Sequence, residues 1–357
     1  MTGIRYAVSA AEETTFGTAG TNFFVLPPGA YMSATYNVST EVLYAPGSKF
    51  FDDVVYGRVQ GSFEISCTLS YEHLELFKLV FEDYDVDSVS AGVYKHTFKK
   101  KNNKRVKSFT IRRRTLNDIT GPTAGTDETT LFLGCVMKSC RISQASGSGK
   151  MTATFSGYFM DSVTTLADLT DTGYVDFEGQ NVEWACLFIG DDYVENIESL
   201  ALSIDNGAGL QYSTCRGTAV NYYESTASFQ FGMTCYSNDF ERYKAMVYTG
   251  GQDVSNAASG NKYSGMCKNK HPIPELSMKS FNTCREGDES IESTVARATK
   301  SLTFNIEDCI VKSATWQKGD GSRMLDQMSS AECKRIEMVV VNDIPSYSSV
   351  PSKHQVD

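Results

Sequence analysis

Residues 62–81 read SFEISCTLSYEHLELFKLVF, and residues 228–247 read SFQFGMTCYSNDFERYKAMV. The blocks align without gaps at an offset of 166, with Ser62/Ser228, Phe63/Phe229, Thr68/Thr234, Glu75/Glu241 and Lys78/Lys244 identical. Their physical pattern matches better than their letters, because both change period at the same place. Phe63, Ile65, Cys67 and Leu69 alternate with Ser62, Glu64, Ser66 and Thr68. Phe229, Phe231, Met233 and Cys235 alternate in the same way with Ser228, Gln230, Gly232 and Thr234. A period of two marks a strand with one buried face. Each block then takes helical spacing: Leu74, Phe77 and Phe81 lie at i, i+3 and i+7, and Phe240, Tyr243 and Val247 do the same. Ser70 is placed to cap the first helix, with His73 at the capping-box position, and Ser237 or Asn238 to cap the second. The chain therefore reads as two copies of a strand running directly into a short amphipathic α-helix, each helix packing on its own copy's sheet.

A second pair supports the duplication. Gly134-Cys-Val-Met-Lys-Ser-Cys140 matches Asp308-Cys-Ile-Val-Lys-Ser-Ala314 at an offset of 174. Each is followed by a turn-rich stretch and a final alternating strand, expected at Met151–Phe159 and Cys333–Val341. A third match, KSFTI at 107–111 with KSLTF at 300–304, lies off the diagonal at 193. It means either an insertion near Leu116 to Thr130 or a coincidence. The expected organisation is an N-terminal arm (1–35), a first domain (36–160), a linker (161–195), a second domain (196–345) and a polar tail (346–357). The segment Tyr44 to Arg58 is unusual. Phe50 and Phe51 are too apolar for a freely solvated loop, and Asp52 and Asp53 are too acidic for a core. Aromatics beside charges suit a surface that is buried only on assembly. The competing reading is a loop folded back on its own domain.

Composition agrees with a mainly β, β-rich α+β chain. Of 357 residues, 41% are hydrophobic and 21% charged, enough apolar material for a real core, and Tyr (19) and Phe (20) are plentiful. No run approaches the ~20 apolar residues of a bilayer span. Met1 to Ala10 shows no apolar signal region, so synthesis in a reducing cytosol is expected. The net charge of −10 disfavours nucleic-acid binding as a default. Against that balance, Lys95 to Arg114 holds ten basic residues, with Lys99, Lys100, Lys101, Lys104 and Arg105 at its centre. They read as a solvated loop and adjoining strand, or as a contact for an acidic patch on another subunit; nucleic-acid binding ranks last because aromatics are sparse there.

Catalytic and metal patterns do not emerge. The ten cysteines include no CxxC, and Cys67 and Cys235 occupy apolar slots, as small buried hydrophobes do. The four histidines form no HExxH, and no GxSxG occurs. Gly147-Ser-Gly149-Lys150 is followed by a strand pattern and reads as a hairpin turn, not a phosphate loop. Asp52-Asp53 and Asp191-Asp192 lack a third ligand at useful spacing. The residues point to no enzyme, no cofactor and no metal.

Several stretches together resemble the tail tube proteins of bacteriophages, above all the two-domain tube proteins of long, non-contractile, siphophage-like tails. They are Glu12-Glu13-Thr14-Thr15-Phe16-Gly17-Thr18, Phe24-Val25-Leu26-Pro27, the hairpin near Tyr36 to Gly61 and the block at 62–81. Lys107-Ser-Phe-Thr-Ile111, Gly134-Cys135-Val136 and the final strand to Tyr158 complete the set. The resemblance covers most of 10–160 and more weakly 195–345, where the early hairpin is shorter and the middle longer. It implies two tandem β-sandwich domains with flanking helices, whose sheets join between subunits into a barrel. It implies three two-domain chains per pseudo-sixfold ring, rings stacked into a tube, and a polar lumen for DNA ejection in which the acidic balance repels phosphate. Tyr44, Phe50, Phe51, Asp52 and Asp53 become ring-stacking candidates. The implied partners are copies of the chain, tape measure, terminator and distal tail proteins at the tube ends, and DNA in transit, with no membrane. The implied location is the virion tail, assembled in the bacterial cytoplasm. The rival is a secreted or surface β-sandwich binding module, adhesin-like or lectin-like.

Overall fold

The computed structural model describes residues 4–27, 29–44, 51–100, 105–117, 127–144, 149–167, 181–182, 185–189, 192–194, 197–213, 216–237, 273–283, 298–318 and 324–345. The first strands are β1 (Ile4–Glu12), β2 (Phe24–Val25), β3 (Tyr31–Tyr44), β4 (Phe51–Thr68), β5 (Asp83–Ser90), β6 (Val93–Lys99) and β7 (Phe109–Asn117). Then come β8 (Asp127–Gln144), β9 (Met151–Phe159), β10 (Asp161–Ala167), β11 (Ala185–Ile189), β12 (Asp192–Val194) and β13 (Ile197–Asp205). The last are β14 (Ala208–Tyr212), β15 (Ala219–Glu224), β16 (Ser228–Ser237), β17 (Ile273–Phe281), β18 (Ser301–Lys318), β19 (Met324–Cys333) and β20 (Arg335–Asn342). All their pairings are antiparallel, and all but the β14–β15 hairpin join one 18-stranded network.

Two long strands, β8 and β18, divide that network into three ladders. The longest runs β3-β4-β9-β8-β13-β16-β19-β18. A second runs β2-β1-β7-β8-β10, and a third β12-β11-β17-β18-β20-β6-β5. The first part of β8 and of β18 therefore serves a shorter ladder, and the last part serves the long one.

The same device makes both crossings. Gly134 has φ 60 and Asp308 has φ 53, the left-handed region, and Asp308 is the one non-glycine there among the described residues. They are 174 apart, the offset read from the sequence. Just beyond, β8 shifts register between Met137 and Ser139 and β18 between Val311 and Ser313, again 174 apart. A bulge adds twist and turns a strand from one sheet to another. Glu13 holds the first bend. Its buried carboxylate accepts hydrogen bonds from the Gly134 amide (2.8 Å), the Thr110 hydroxyl (2.9 Å) and the Gly17 amide (2.9 Å). A Cβ on Gly134 would meet Met160 Cβ at 2.8 Å, so both the conformation and the space call for glycine.

The helices differ from expectation. The described residues contain one 3₁₀ turn, Glu75–Leu79, and no α-helix. Leu74, Glu75, Leu76, Phe77, Leu79, Val80 and Phe81 are all buried, so this segment is covered on nearly every side and is wedged between sheets, not laid on one. Its N-cap is Leu74 without a side-chain cap, and the Ser70 hydroxyl instead accepts from the Glu72 amide (3.2 Å) in the preceding turn. The Phe77 ring lies 5.4 Å from Phe155 of β9 and 6.3 Å from Phe304 of β18, so the turn packs on both halves, not on the first alone. Phe240, Tyr243 and Val247 lie outside the described residues.

The segment expected as an arm contributes β1, paired along its whole length with β7. The expected linker contains β10, paired with β8, as well as β11 and β12. The counterpart of β9 in strand order is β19, not Cys333–Val341, which forms β20 and flanks β18 as β10 flanks β8. KSFTI lies in β7 and KSLTF at the start of β18, which are different places in the sheets, so that match is a coincidence.

Phe77→Ala removes a ring buried between both halves and is expected to cost about 3–5 kcal/mol. Urea denaturation followed by fluorescence checks it; a change within error would contradict the wedge.

Candidate functional site: a hydroxyl face and two open edges

One face of the long ladder is core and the other is a carpet of small polar side chains. Along β9, Met151, Ala153, Phe155, Gly157 and Phe159 are buried, while Thr152, Thr154, Ser156 and Tyr158 are not. The hydroxyls meet across strands. Ser139 and Ser156 Oγ are 2.7 Å apart, Ser143 Oγ and Thr152 Oγ1 3.2 Å, and Ser66 Oγ and Thr154 Oγ1 3.4 Å. Beyond β8 the face continues through Ser199, Ala201 and Ser203 of β13 and Gln230, Gly232 and Thr234 of β16. Its charges among the described residues are mixed: Glu64, Asp205 and Glu332, which lies opposite Gln230, against Arg141 and Lys138, whose Nζ lies over the Tyr158 ring at 5.6 Å.

The ladder ends in two edges. Among the described residues, β3 pairs only with β4, and the last part of β18 only with β19. Exposed large hydrophobics gather there: Tyr31 (64%), Tyr36 (44%) and Val38 (45%) on β3, and Ile310 (46%) on β18. Unpaired edges with apolar side chains are templates for another chain.

Inside the chain, two joints link the halves. In one, Ser139–Gln144 of β8 pair with Leu200–Asp205 of β13. In the other, β6 pairs with β20. There His96 is buried, its Nδ1 2.9 Å from the Tyr84 hydroxyl and its Nε2 2.9 Å from Asn342 Oδ1. Burial holds the imidazole below its ordinary 6.5, although the Asn342 bond opposes the shift. The basic candidates border this joint. Lys99 pairs with Glu337 of β20 (2.9 Å), Lys100 pairs with Glu82, and Arg105 is exposed. Lys101 and Lys104 lie outside the described residues. Lys107 pairs with Glu12 and Arg113 with Glu128 (3.5 Å), so much of the basic run meets acids of its own chain.

The segment Tyr44 to Arg58 is mostly strand, not loop. Tyr44 pairs with Phe51, Leu43 with Asp53 and Val42 with Val54, while Phe50 lies outside the described residues. Because β9 leaves β4 at Gly61, the outer part of the β3–β4 hairpin runs on as a two-stranded ribbon. In the second half, the shorter β14–β15 hairpin occupies the corresponding connection. It folds back on the first half: the Tyr222 ring lies tilted against Phe16, centroids 5.5 Å apart, and its hydroxyl donates to Val106 O (2.9 Å).

Sequence reasoning missed Glu13 as a bend holder, Asn206, whose buried amide donates to Val80 O (3.3 Å) and Met137 O (3.2 Å), and the His96 joint. Each acts on partners far along the chain, and no local pattern marks them. Burial pushes the Cys67 thiol up to about 12 and those of Cys135 and Cys140 well above 9.0, which suits buried hydrophobes and not nucleophiles. The arrangement is that of a smooth polar surface bounded by adhesive edges.

A family model described as phage tail tube protein matches residues 3–266. No curated protein matches the chain.

The His96 joint carries a pH prediction. Its folded value lies below that of the unfolded chain, so its contribution is full above about 6.5 and is lost as pH falls, because the unfolded chain takes up the proton first. The melting temperature should therefore drop between about pH 7 and pH 5, and His96→Gln should flatten that part of the drop. Equal slopes in the two proteins would contradict it.

Proposed function

The chain belongs to the phage tail tube protein family, structural proteins of the virion tail and not enzymes, and from that premise we propose how it builds the tube wall. The chain acts as two tandem wall units, 36–160 and 196–345, joined through the 161–195 segment, with 346–357 as a tail. Three chains close a pseudo-sixfold ring, and rings stack into the tube. One observation carries this reading: the order β3-β4-β9-β8 is followed, side by side, by β13-β16-β19-β18. Two units already related this way need only the same step repeated to complete a closed sheet, which removes every strand edge.

The hydroxyl face then lines the lumen through which DNA is ejected. Its described charges lean acidic, Glu64, Asp205 and Glu332 against Arg141 and Lys138, which supports repulsion of the DNA backbone. DNA slides because so few cations on the face displace little of its counterion atmosphere. The β3–β4 ribbon reaches the next ring, with Tyr44, Phe50, Phe51, Asp52 and Asp53 at its tip. A lone two-stranded ribbon is marginally stable in water, which supports its use as a clasp. Tape measure, terminator and distal tail proteins meet the tube at its ends; of the basic candidates, Lys99 and Lys100 are taken by Glu337 and Glu82, and Lys101, Lys104 and Arg105 serve a contact with a neighbouring acidic surface.

Native mass spectrometry and image reconstruction of assembled tubes should give three chains per layer; six would mean that the halves are not equivalent wall units. Phe50→Ser combined with Phe51→Ser should leave folded rings that do not elongate. Full-length tubes from that variant would remove the ribbon from stacking, and loss of folding would place it against its own domain.

A further inference from the structure

The joint inside the chain also specifies the joint between chains. Resting on the ring reading above, we propose that β18 of one chain pairs antiparallel with β3 of the next, in the register of the β8·β13 joint. Two offsets carry the transfer. The bend and bulge place β18 at β8 plus 174. Across the matched pair β4 and β16, Ala34 faces Phe63 as Ile204 faces Phe229, and Met32 faces Ile65 as Leu202 faces Phe231. That places β3 at β13 minus 170. The pairs Leu202↔Ile142, Ser203↔Arg141 and Ile204↔Cys140 then become Met32↔Trp316, Ser33↔Thr315 and Ala34↔Ala314 across the interface.

Burial agrees with those offsets. Val136 of β8 is fully buried, packed with Ala208 of the second half. Its counterpart on β18 is Ile310, which is 46% exposed. Ala208 itself stands just past β13, at the start of β14, and the same step of 170 carried on from β13 reaches Val38 on β3, 45% exposed. One operation thus brings together two exposed apolar side chains whose internal equivalents already cover each other. The occupant of both edges is a second copy of this chain.

The test is site-directed crosslinking of assembled protein with a short bismaleimide. Ser33→Cys with Thr315→Cys should give an interchain ladder on denaturing gels that ends at the trimer. Tyr31→Cys with Gln317→Cys should do the same from the same face. Arg141→Cys with Ser203→Cys, the internal equivalent, should link within one chain. Ser33→Cys with Ser313→Cys, two residues out of register, should lose the ladder, as should the protein without added cysteines. Separately, Val38→Asp should leave a folded monomer and abolish rings. If rings or tubes are seen by microscopy but neither in-register pair links, or the out-of-register pair links equally, this register is wrong while the tube reading stands. If Val38→Asp assembles normally, the apolar contact is wrong. If the unaltered chain forms neither rings nor tubes, the assembly reading fails and the joint with it.

Discussion

The structure depends on what happens to the outer row of N–H and C=O groups on β8. A strand edge in water invites any partner, and a buried one without a partner is costly. Here the last residues of β8 are met by β13, and six paired positions from Ser139 to Gln144 weld the first half of the chain to the second. The other links gather around that weld. Asn206 ties it to Val80 and Met137, the Phe77 wedge fills the space beneath β9 and β18, and β6 extends the ladder that holds β20. The halves are therefore not beads on a string. One continuous surface results, and its two ends carry the requirement outward.

A single strand serving two sheets makes that surface possible. β8 and β18 each cross from a short ladder to the long one through a left-handed residue followed by a bulge. The two solutions differ in chemistry. Glycine occupies the bend where Met160 and Phe16 crowd it and Glu13 accepts its amide, and aspartate occupies the bend where Lys334 lies 3.0 Å from its carboxylate. Asp and Asn are the side chains that tolerate this conformation best after glycine. Geometry is kept while the residue changes, as expected where backbone path and not side-chain chemistry is required. A hydroxyl face fits the same logic, since Ser and Thr pair with each other across strands.

Much of this was legible beforehand, for a local reason. Alternation in Phe63 to Leu69 and in Phe229 to Cys235 reports a buried face directly, and β4 and β16 are strands where expected. The offset of 174 returned as matched bends and a matched bulge. The helix was misread because Leu74, Phe77 and Phe81 at helical spacing also suit a short 3₁₀ turn, and only the surrounding sheets show that Leu76, Leu79 and Val80 are buried too. The segment 44–58 was read as a loop because its strand pairing is supplied by the other limb of the same ribbon, β3, which no alternation in 51–58 announces. The counterpart of β9 was misplaced because β19 and β20 both follow the matching segment, and sheet order alone tells them apart.

The sequence by itself determined the mainly β character, the internal repeat and the polar face, because these are written in spacings of two residues and in the offsets of 166 and 174; the tail tube resemblance rested on the quoted stretches as they stand. Only the tertiary structure decided which strands meet across the halves and which edges stay open. Val136 and Ile310 show why. They hold the same place in matching strands and are both aliphatic, yet one is fully buried and the other nearly half exposed. Burial at that place depends on a partner strand arriving from elsewhere, and no local pattern records whether that partner belongs to the same chain.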